Sequence, residues 1–116
     1  MKREDALKKK KEFRYTYRVG KSTSNRLFTV VVAPRHKPET LVGISVSKKQ
    51  GNSVERNRIK RRLREAVTPL VPELKKGNNI IVVARRACLD EPYQALCASA
   101  EKLFRRAGTF NEEKKA

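Results

Sequence analysis

The chain has 116 residues, 38% of them hydrophobic, and it carries 29 Lys and Arg against 12 Asp and Glu, a formal net charge of +17. This length predicts a single domain with a modest core, and the charge, which costs folding energy by self-repulsion, is typical of proteins with a polyanionic partner. No apolar run reaches the roughly 20 residues that span a bilayer, and none follows the basic N-terminus as in a signal peptide.

We therefore expect a cytoplasmic protein without a membrane segment. Its partner would be nucleic acid, an anionic membrane surface or an acidic protein.

Few residues of the chain are suited to catalysis or to metal binding. Cys88 and Cys97 do not form a C-x-x-C pair, and His36 is the only histidine. We expect neither a disulfide, in a reducing cytosol, nor a zinc site, and we interpret both cysteines as small apolar core residues. Paired carboxylates, a Ser–His–Asp set and a nucleotide-binding glycine loop are not evident. The sequence predicts a binding module with no cofactor of its own.

The N-terminal part of the chain predicts a tail and a helix. Residues 1–8 are predicted to be a basic flexible tail, and a helix over about 9–19 follows, closed by Gly20. Phe13 and Tyr17 lie four residues apart and share one face of this helix. Two interpretations stay open: the rings pack the helix onto a sheet, or they line a groove where the bases of a single strand stack.

Three apolar runs predict strands. The β-branched run at 27–33 and the run at 40–47 are predicted to pair as an antiparallel hairpin, and the polar segment 21–25 before them contributes a short pairing segment at most. The continuous apolar run at 79–84 predicts a central strand, parallel to the one at 40–47. A last helix is predicted over 91–107, with a short tail at 110–116. These elements predict a small α/β sandwich with a mixed sheet of about four strands.

The segment 45–64 has an unusual order of charges. It passes from a strand end through Gly51 into a helix, and Asn52 and Glu55 have the spacing of a capping box. Apolar residues at 59, 63, 66 and 70 form one stripe, with polar residues at 57, 58, 61, 62, 64 and 65 opposite. Cations crowd the start of this helix, where the dipole favours acids, and Glu55 is the only acid there.

This crowding has two interpretations. One is a solvated face of charged side chains. The other is a phosphate-binding element, because the free backbone N–H groups at a helix start already bind phosphate and the cations strengthen that site. The high arginine content and the whole-chain charge favour the second, and we interpret the predicted helix at 52–70 as a polyanion-binding element.

These residues resemble the bacterial ribonuclease P protein family. The resemblance rests on the run at 42–49, the Gly-Asn pair at 51–52, Val54, the Arg-Asn-Arg-Ile-Lys-Arg run at 56–61 and the Leu-Arg-Glu-Ala run at 63–66. It continues at 7–9, Phe13, 25–26, 74–77 and 80–85, and so spans nearly the whole chain.

The resemblance implies an α+β fold with the element order α-β-β-β-α-β-α and a mixed four-stranded sheet. It also implies a left-handed β-α-β crossover, where the general rule gives a right-handed one. Members pair with a catalytic RNA that removes the 5′ leader of precursor tRNA with Mg²⁺ held by the RNA. The protein alone is not the catalyst.

The resemblance implies two binding sites as well. The site for the RNA subunit comprises Arg56, Asn57, Arg58, Lys60, Arg61, Arg64, Lys48 and Lys49. The site for the leader of precursor tRNA, a cleft between the first helix and the sheet, comprises Phe13, Tyr17 and Val31. Val31 stands where some members have tyrosine, so this position offers no aromatic contact.

Two other function classes share part of this pattern. A ribosomal-type protein bound to ribosomal RNA has the same composition, but the Arg-Asn-Arg run at 56–58 argues against it. A stand-alone protein nuclease would need catalytic residues that the sequence does not offer.

Overall fold

The computed structural model describes residues 1–111 and within them confirms the predicted α+β class. Its helices are α1 (Lys10–Val19), α2 (Ser53–Val67) and α3 (Tyr93–Arg106). Its strands are β1 (Lys21–Ser24), β2 (Phe28–Pro34), β3 (Leu41–Ser45) and β4 (Asn78–Ala84). The order along the chain is therefore the predicted one. A 3-10 segment over Thr68–Glu73, which contains Pro72, continues from α2 and replaces the last helical turn predicted there.

The four strands form one sheet in the order β1-β2-β4-β3. The predicted hairpin between β2 and β3 is wrong, because β4 lies between them, antiparallel to β2 and parallel to β3. The physical reason is burial: residues 79–82 of β4 are all buried, so this strand gains most from a central place covered on both faces. The parallel β3–β4 pair confirms the predicted strand–helix–strand unit, and its left-handed crossover stays a prediction.

Helices α2 and α3 cover one face of the sheet and form the main core with it. Ile59 and Leu63 of α2 and Leu96 and Phe104 of α3 are fully buried in this core. Burying one such side chain stabilises the fold by about 1.5–3 kcal/mol. The apolar stripe predicted for α2 is confirmed at 59, 63 and 66, whereas Leu70 lies in the 3-10 segment and is half-buried, and the other side of the helix faces solvent.

Helix α1 packs on the opposite face over a smaller cluster that includes Leu7, Val31 and Ile81. The approach is close: a Cβ on Gly43 of β3 would lie 2.6 Å from Cζ of Phe13, so only glycine leaves room for the ring there. The Phe13 ring therefore lies directly on the sheet.

Polar contacts hold one side of α1 near the end of β2. The Arg35 guanidinium, only 9% exposed, lies 2.5 Å from the Glu12 carboxylate and donates to Oδ1 of Asn79 at 3.0 Å. Tyr15 donates to the carbonyl of Pro34 at 2.8 Å. Since Glu12 and Tyr15 face this end, the opposite side of α1, which carries Tyr17, faces the other end of the sheet.

Both predicted tails are packed where the structure describes them. Leu7 is 4% exposed, and its N–H donates to the carbonyl of Val42 at 3.0 Å. Phe110 is also 4% exposed and forms an antiparallel bridge with Leu74. These apolar side chains cover the edges of the core and shield them from water, and the flexibility of the remaining residues of 1–8 and 110–116 stays a prediction. Residues 112–116 of the predicted tail lie outside the described residues.

The cysteines are free thiols, and the structure separates them by burial. Cys88 is fully buried, which confirms the prediction of a core residue and raises the pKa of its thiol. Cys97 is half-buried at the edge of the core. Within residues 1–111, no helix has the length and apolar content to cross a membrane, and no three His, Cys, Asp or Glu side chains gather into a metal site.

Candidate nucleic-acid interface

The start of α2 is held by a capping box, as the sequence predicts. The N–H of Glu55 donates to Oδ1 of Asn52 at 2.9 Å, and the N–H of Asn52 donates to Oε1 of Glu55 at 3.0 Å. Arg86, which follows β4, lies 2.5 Å from Oε2 of the same carboxylate. The Arg86 guanidinium, followed by the Asn52 N–H, lowers the pKa of Glu55. The only acid at this helix start is therefore already paired, and it does not neutralise the cations around it.

Gly51 is required for this arrangement. Its φ of +148° lies where residues with a side chain are strained. A Cβ there would lie 2.7 Å from Oε1 of Glu55 and 2.9 Å from Nη1 of Arg86. The Gly-Asn pair at 51–52 thus sets how α2 begins and how its N-terminal N–H groups are presented.

We expect Gly51→Ala to lower the free energy of unfolding by about 2–4 kcal/mol, from backbone strain and from loss of the cap. Urea unfolding followed by circular dichroism measures this change. Gly108→Ala is the matched control, because its φ is +72° and a Cβ there meets nothing within 4 Å. We expect the control to lose only about 1 kcal/mol, and an equal loss in both variants would show that the contacts of Gly51 with the cap are unimportant.

The residues predicted to bind the RNA subunit lie together at the start and along the outer side of α2. Lys48, Lys49, Asn57, Arg58, Arg61 and Arg64 are exposed, and Arg56 and Lys60 are half-buried. In the described part of the chain, none of these eight side chains makes a hydrogen bond or an ion pair. This surface, which we call the α2 face, therefore presents free guanidinium and ammonium groups around a helix N-terminus, a combination that suits phosphate groups.

Arg62 does not belong to the α2 face, although the helical spacing groups it with the outward arginines. Its side chain is half-buried, and its guanidinium donates to the carbonyl of Glu91, just before α3. Arg26 forms an ion pair with the carboxylate of the same Glu91. Arg62 thus ties α2 to the segment before α3.

The two aromatic residues of α1 differ in their surroundings. Their ring centroids lie 6.4 Å apart, with the planes tilted by 42°. Phe13 is half-buried and packs against the sheet. The Tyr17 side of α1 is open, and Tyr17 is 47% exposed. Tyr17 therefore offers a ring face on which a base can stack.

Beside these rings the sheet presents one row of partly open residues, which we call the open row. It crosses all four strands in register as Ser24, Thr29, Val83 and Ser45. Strand alternation puts these residues on the α1 face. Three of the four carry hydroxyl groups, and the Ser24 and Thr29 hydroxyls lie 2.8 Å apart. Tyr17 and the open row lie on the same side of the sheet, and we call the surface between them the cleft; it presents an aromatic ring beside hydroxyl groups.

Val31 does not line this cleft. It is 4% exposed, and a Cβ on Gly20 would lie 2.7 Å from its Cγ1, so the end of α1 covers it. The prediction that Val31 faces the leader is corrected by this burial. Thr29, two residues earlier on the same face of β2, is the partly open position.

Arg85, which directly follows β4, has a contact at the cleft. Its guanidinium donates to the carbonyl of Asn25 and to the hydroxyl of Thr29, the latter at 3.4 Å. Sequence reasoning missed Arg85 and the open row because cross-strand neighbours become visible only once the register is known. The alternation along β2 is the signal that could have indicated Thr29.

Comparison with known proteins identifies relatives over almost the whole chain. The family profile described as Ribonuclease P matches residues 1–108. A ribonuclease P protein component of Bacillus cereus strain AH187 is 40% identical over 109 residues, which are 93% of this chain and 95% of that protein.

Solved structures agree with these sequence relatives. The RNase P protein of Staphylococcus aureus, solved at 2.0 Å, has a TM-score of 0.81 and 35% identity, and the match covers 92% of this chain and 98% of that one. The RNase P protein of Thermotoga maritima has a TM-score of 0.76 and 25% identity, over 87% of this chain and 96% of that one.

Proposed function

The chain belongs to the ribonuclease P protein family, and on this premise we propose that it is the protein subunit of a ribonucleoprotein that removes the 5′ leader of precursor tRNA. Membership of this family supports a role in tRNA 5′ processing. The finer assignments that follow name the RNA partners and the residues that would bind them.

The α2 face would bind the catalytic RNA subunit, and this surface carries the proposal. It combines eight unpaired side chains with a helix start whose only acid is already neutralised by Arg86. Arginine suits this partner because its fork of N–H donors binds phosphate oxygens in pairs. If about six of these cations contact phosphates, the affinity should fall with salt with a log–log slope near −4 to −5.

The cleft would hold the single-stranded leader. Tyr17 supplies an exposed ring for stacking, and the hydroxyls of the open row can bond to phosphates or sugars. Neither contact reads base edges in a fixed pattern. The proposed cleft therefore binds leaders of varied sequence.

We assign catalysis to the RNA subunit with Mg²⁺ held by that RNA, and we assign the holoenzyme to the cytoplasm. The site residues of the protein are cations, hydroxyls and an aromatic ring. Their proposed part is to bind and orient RNA, and so to lower the concentration of Mg²⁺ at which the catalytic RNA holds its substrate.

The first test is cleavage of a 5′-extended precursor tRNA by a bacterial ribonuclease P RNA at low Mg²⁺, with and without this protein. We expect the protein to restore cleavage at the mature 5′ end. Tight, salt-sensitive RNA binding without stimulation would contradict the proposal and favour the ribosomal alternative. Cleavage by the RNA-free protein after stringent purification would contradict the assignment of catalysis to RNA.

A further inference from the structure

A second basic surface lies outside both sites described above. A groove of about 540 Å³ runs beside the C-terminal half of α3, and we call it the α3 groove. Its lining residues are Asn25, Ser99, Lys102, Leu103, Arg105 and Arg106. Three of them are cations and none is an acid. The groove therefore favours an anionic occupant.

The groove also offers hydrogen-bond donors whose positions are fixed by the fold. Oδ1 of Asn25 accepts from the N–H groups of Leu27 and Phe28 at 2.8 and 2.9 Å, which orients its amide. Within residues 1–111 the NH₂ group of that amide makes no hydrogen bond, and Lys102 and Arg106 make neither hydrogen bonds nor ion pairs. Arg105 lies 5.0 Å from the centroid of the Phe110 ring, which anchors this side of the groove.

The dipole of α3 explains only part of this charge. Cations in the last turn of a helix are stabilised by its C-terminal end, which accounts for Arg105 and Arg106. It does not account for the absence of acids from the groove wall. Another cavity of the described chain, about 630 Å³, includes Glu4, Asp5 and Glu39 in its wall beside Lys2 and Lys76. The wall of that cavity thus mixes both signs of charge, whereas the wall of the α3 groove carries cations only.

The α3 groove begins where the open row ends. The row finishes at Ser24 on the outer strand β1, and the next residue, Asn25, already lines the groove. Arg85 contacts both sides of this junction, since its guanidinium donates to the carbonyl of Asn25 and to the hydroxyl of Thr29. An RNA strand that follows the open row across the sheet would therefore leave the sheet next to the α3 groove.

We propose that the α3 groove binds the phosphates of leader nucleotides that lie upstream of those in the cleft. This inference rests on the proposed function of the cleft and extends the RNA path around the β1 edge of the sheet. Its occupant is single-stranded RNA, because a stiff duplex does not bend around a strand edge into a groove of about 540 Å³. Lys102 and Arg106 supply the charge, and Asn25 supplies an oriented N–H donor.

The length of the open row limits how many nucleotides can lie between the cleft and the α3 groove. Four strands about 4.8 Å apart span roughly 14 Å, which is about four nucleotides at the 3.4 Å spacing of stacked bases. Contacts with the groove should therefore begin further upstream than contacts with Tyr17, by at most about four nucleotides, because Tyr17 lies one turn beyond Phe13, which contacts β3.

The test is binding of precursor tRNAs with leaders of increasing length to the holoenzyme, with the wild-type chain, Tyr17→Ala, and the double variant Lys102→Gln with Arg106→Gln. We expect the double variant to bind short leaders normally and to lose about tenfold affinity for long ones, with a log–log salt slope smaller by about 1.4 for two phosphates. Its effect should start at a longer leader than the one at which Tyr17→Ala first weakens binding, by at most about four nucleotides. Lys75→Gln with Lys76→Gln removes the same charge elsewhere and should leave the length dependence unchanged.

Three results would overturn the inference. The double variant could show no loss at any leader length, or a loss that starts at the same length as that of Tyr17→Ala. An equal loss for mature tRNA would assign the groove to the RNA subunit instead. Failure of the proposed function itself would look different, because the wild-type holoenzyme would then not distinguish leader-bearing from mature tRNA. The double variant and its Lys75/Lys76 control change only exposed side chains, and thermal unfolding of each protein checks that it is folded.

Discussion

Replacing Arg58 and Arg61 together with alanine is expected to weaken binding to the catalytic RNA by about 100-fold or more. Both side chains are exposed on the α2 face and neither makes a hydrogen bond or ion pair within the described chain, so the loss falls on RNA contacts. A hydrogen bond to a charged group contributes about 1.5–3 kcal/mol, and two such contacts give about two to four orders of magnitude. Filter binding at several salt concentrations measures both the affinity and the slope, which should shrink by about 1.4–1.8.

The matched control is Lys75→Ala with Lys76→Ala. It removes the same two charges from exposed positions between the segment Thr68–Glu73 and β4, away from the α2 face. We expect this control to change affinity by less than about threefold, through the net charge alone. Equal losses in the two double variants would mean that RNA responds to total charge and not to the α2 face.

Tyr17→Ala is expected to weaken binding of leader-bearing precursor tRNA to the holoenzyme by about 5- to 100-fold, with no effect on mature tRNA. Stacking of a base on an aromatic side chain contributes about 1–3 kcal/mol, and the half-exposed Tyr17 ring contributes little to the core. Thermal stability should therefore stay unchanged. Tyr17→Phe keeps the ring and should bind as the wild type does; if it bound as weakly as the alanine variant, the hydroxyl and not the ring would be the contact.

Phe13→Ala tests whether Phe13, one turn before Tyr17, only packs on the sheet or also binds the leader. We expect it to weaken leader binding and also to lower the free energy of unfolding by about 2 kcal/mol, below the range for fully buried rings because Phe13 is half-buried. A loss of stability without loss of leader affinity would make Phe13 purely a packing residue.

Local physics decided which features the sequence could predict. The capping box of Asn52 and Glu55, the apolar stripe through Ile59 and Leu63, and the start of α2 depend on neighbours within one or two turns, so the spacing alone predicts them. The net charge and the arginine run likewise predict a polyanion partner, because charge is a property of composition.

Strand pairing and burial were decided only by the tertiary structure. The hairpin was predicted from closeness in the chain, yet β4 lies between β2 and β3 because its apolar run needs cover on both faces, and this gain exceeds the cost of closing a longer loop. The same global packing covers Val31 with α1, turns Arg62 toward Glu91, and places Thr29 and Arg85 at the cleft. The sequence by itself thus determined the elements and the chemistry that they carry. Which side chains stay free to meet RNA depends on contacts between residues far apart in the chain, and only the folded structure fixes those.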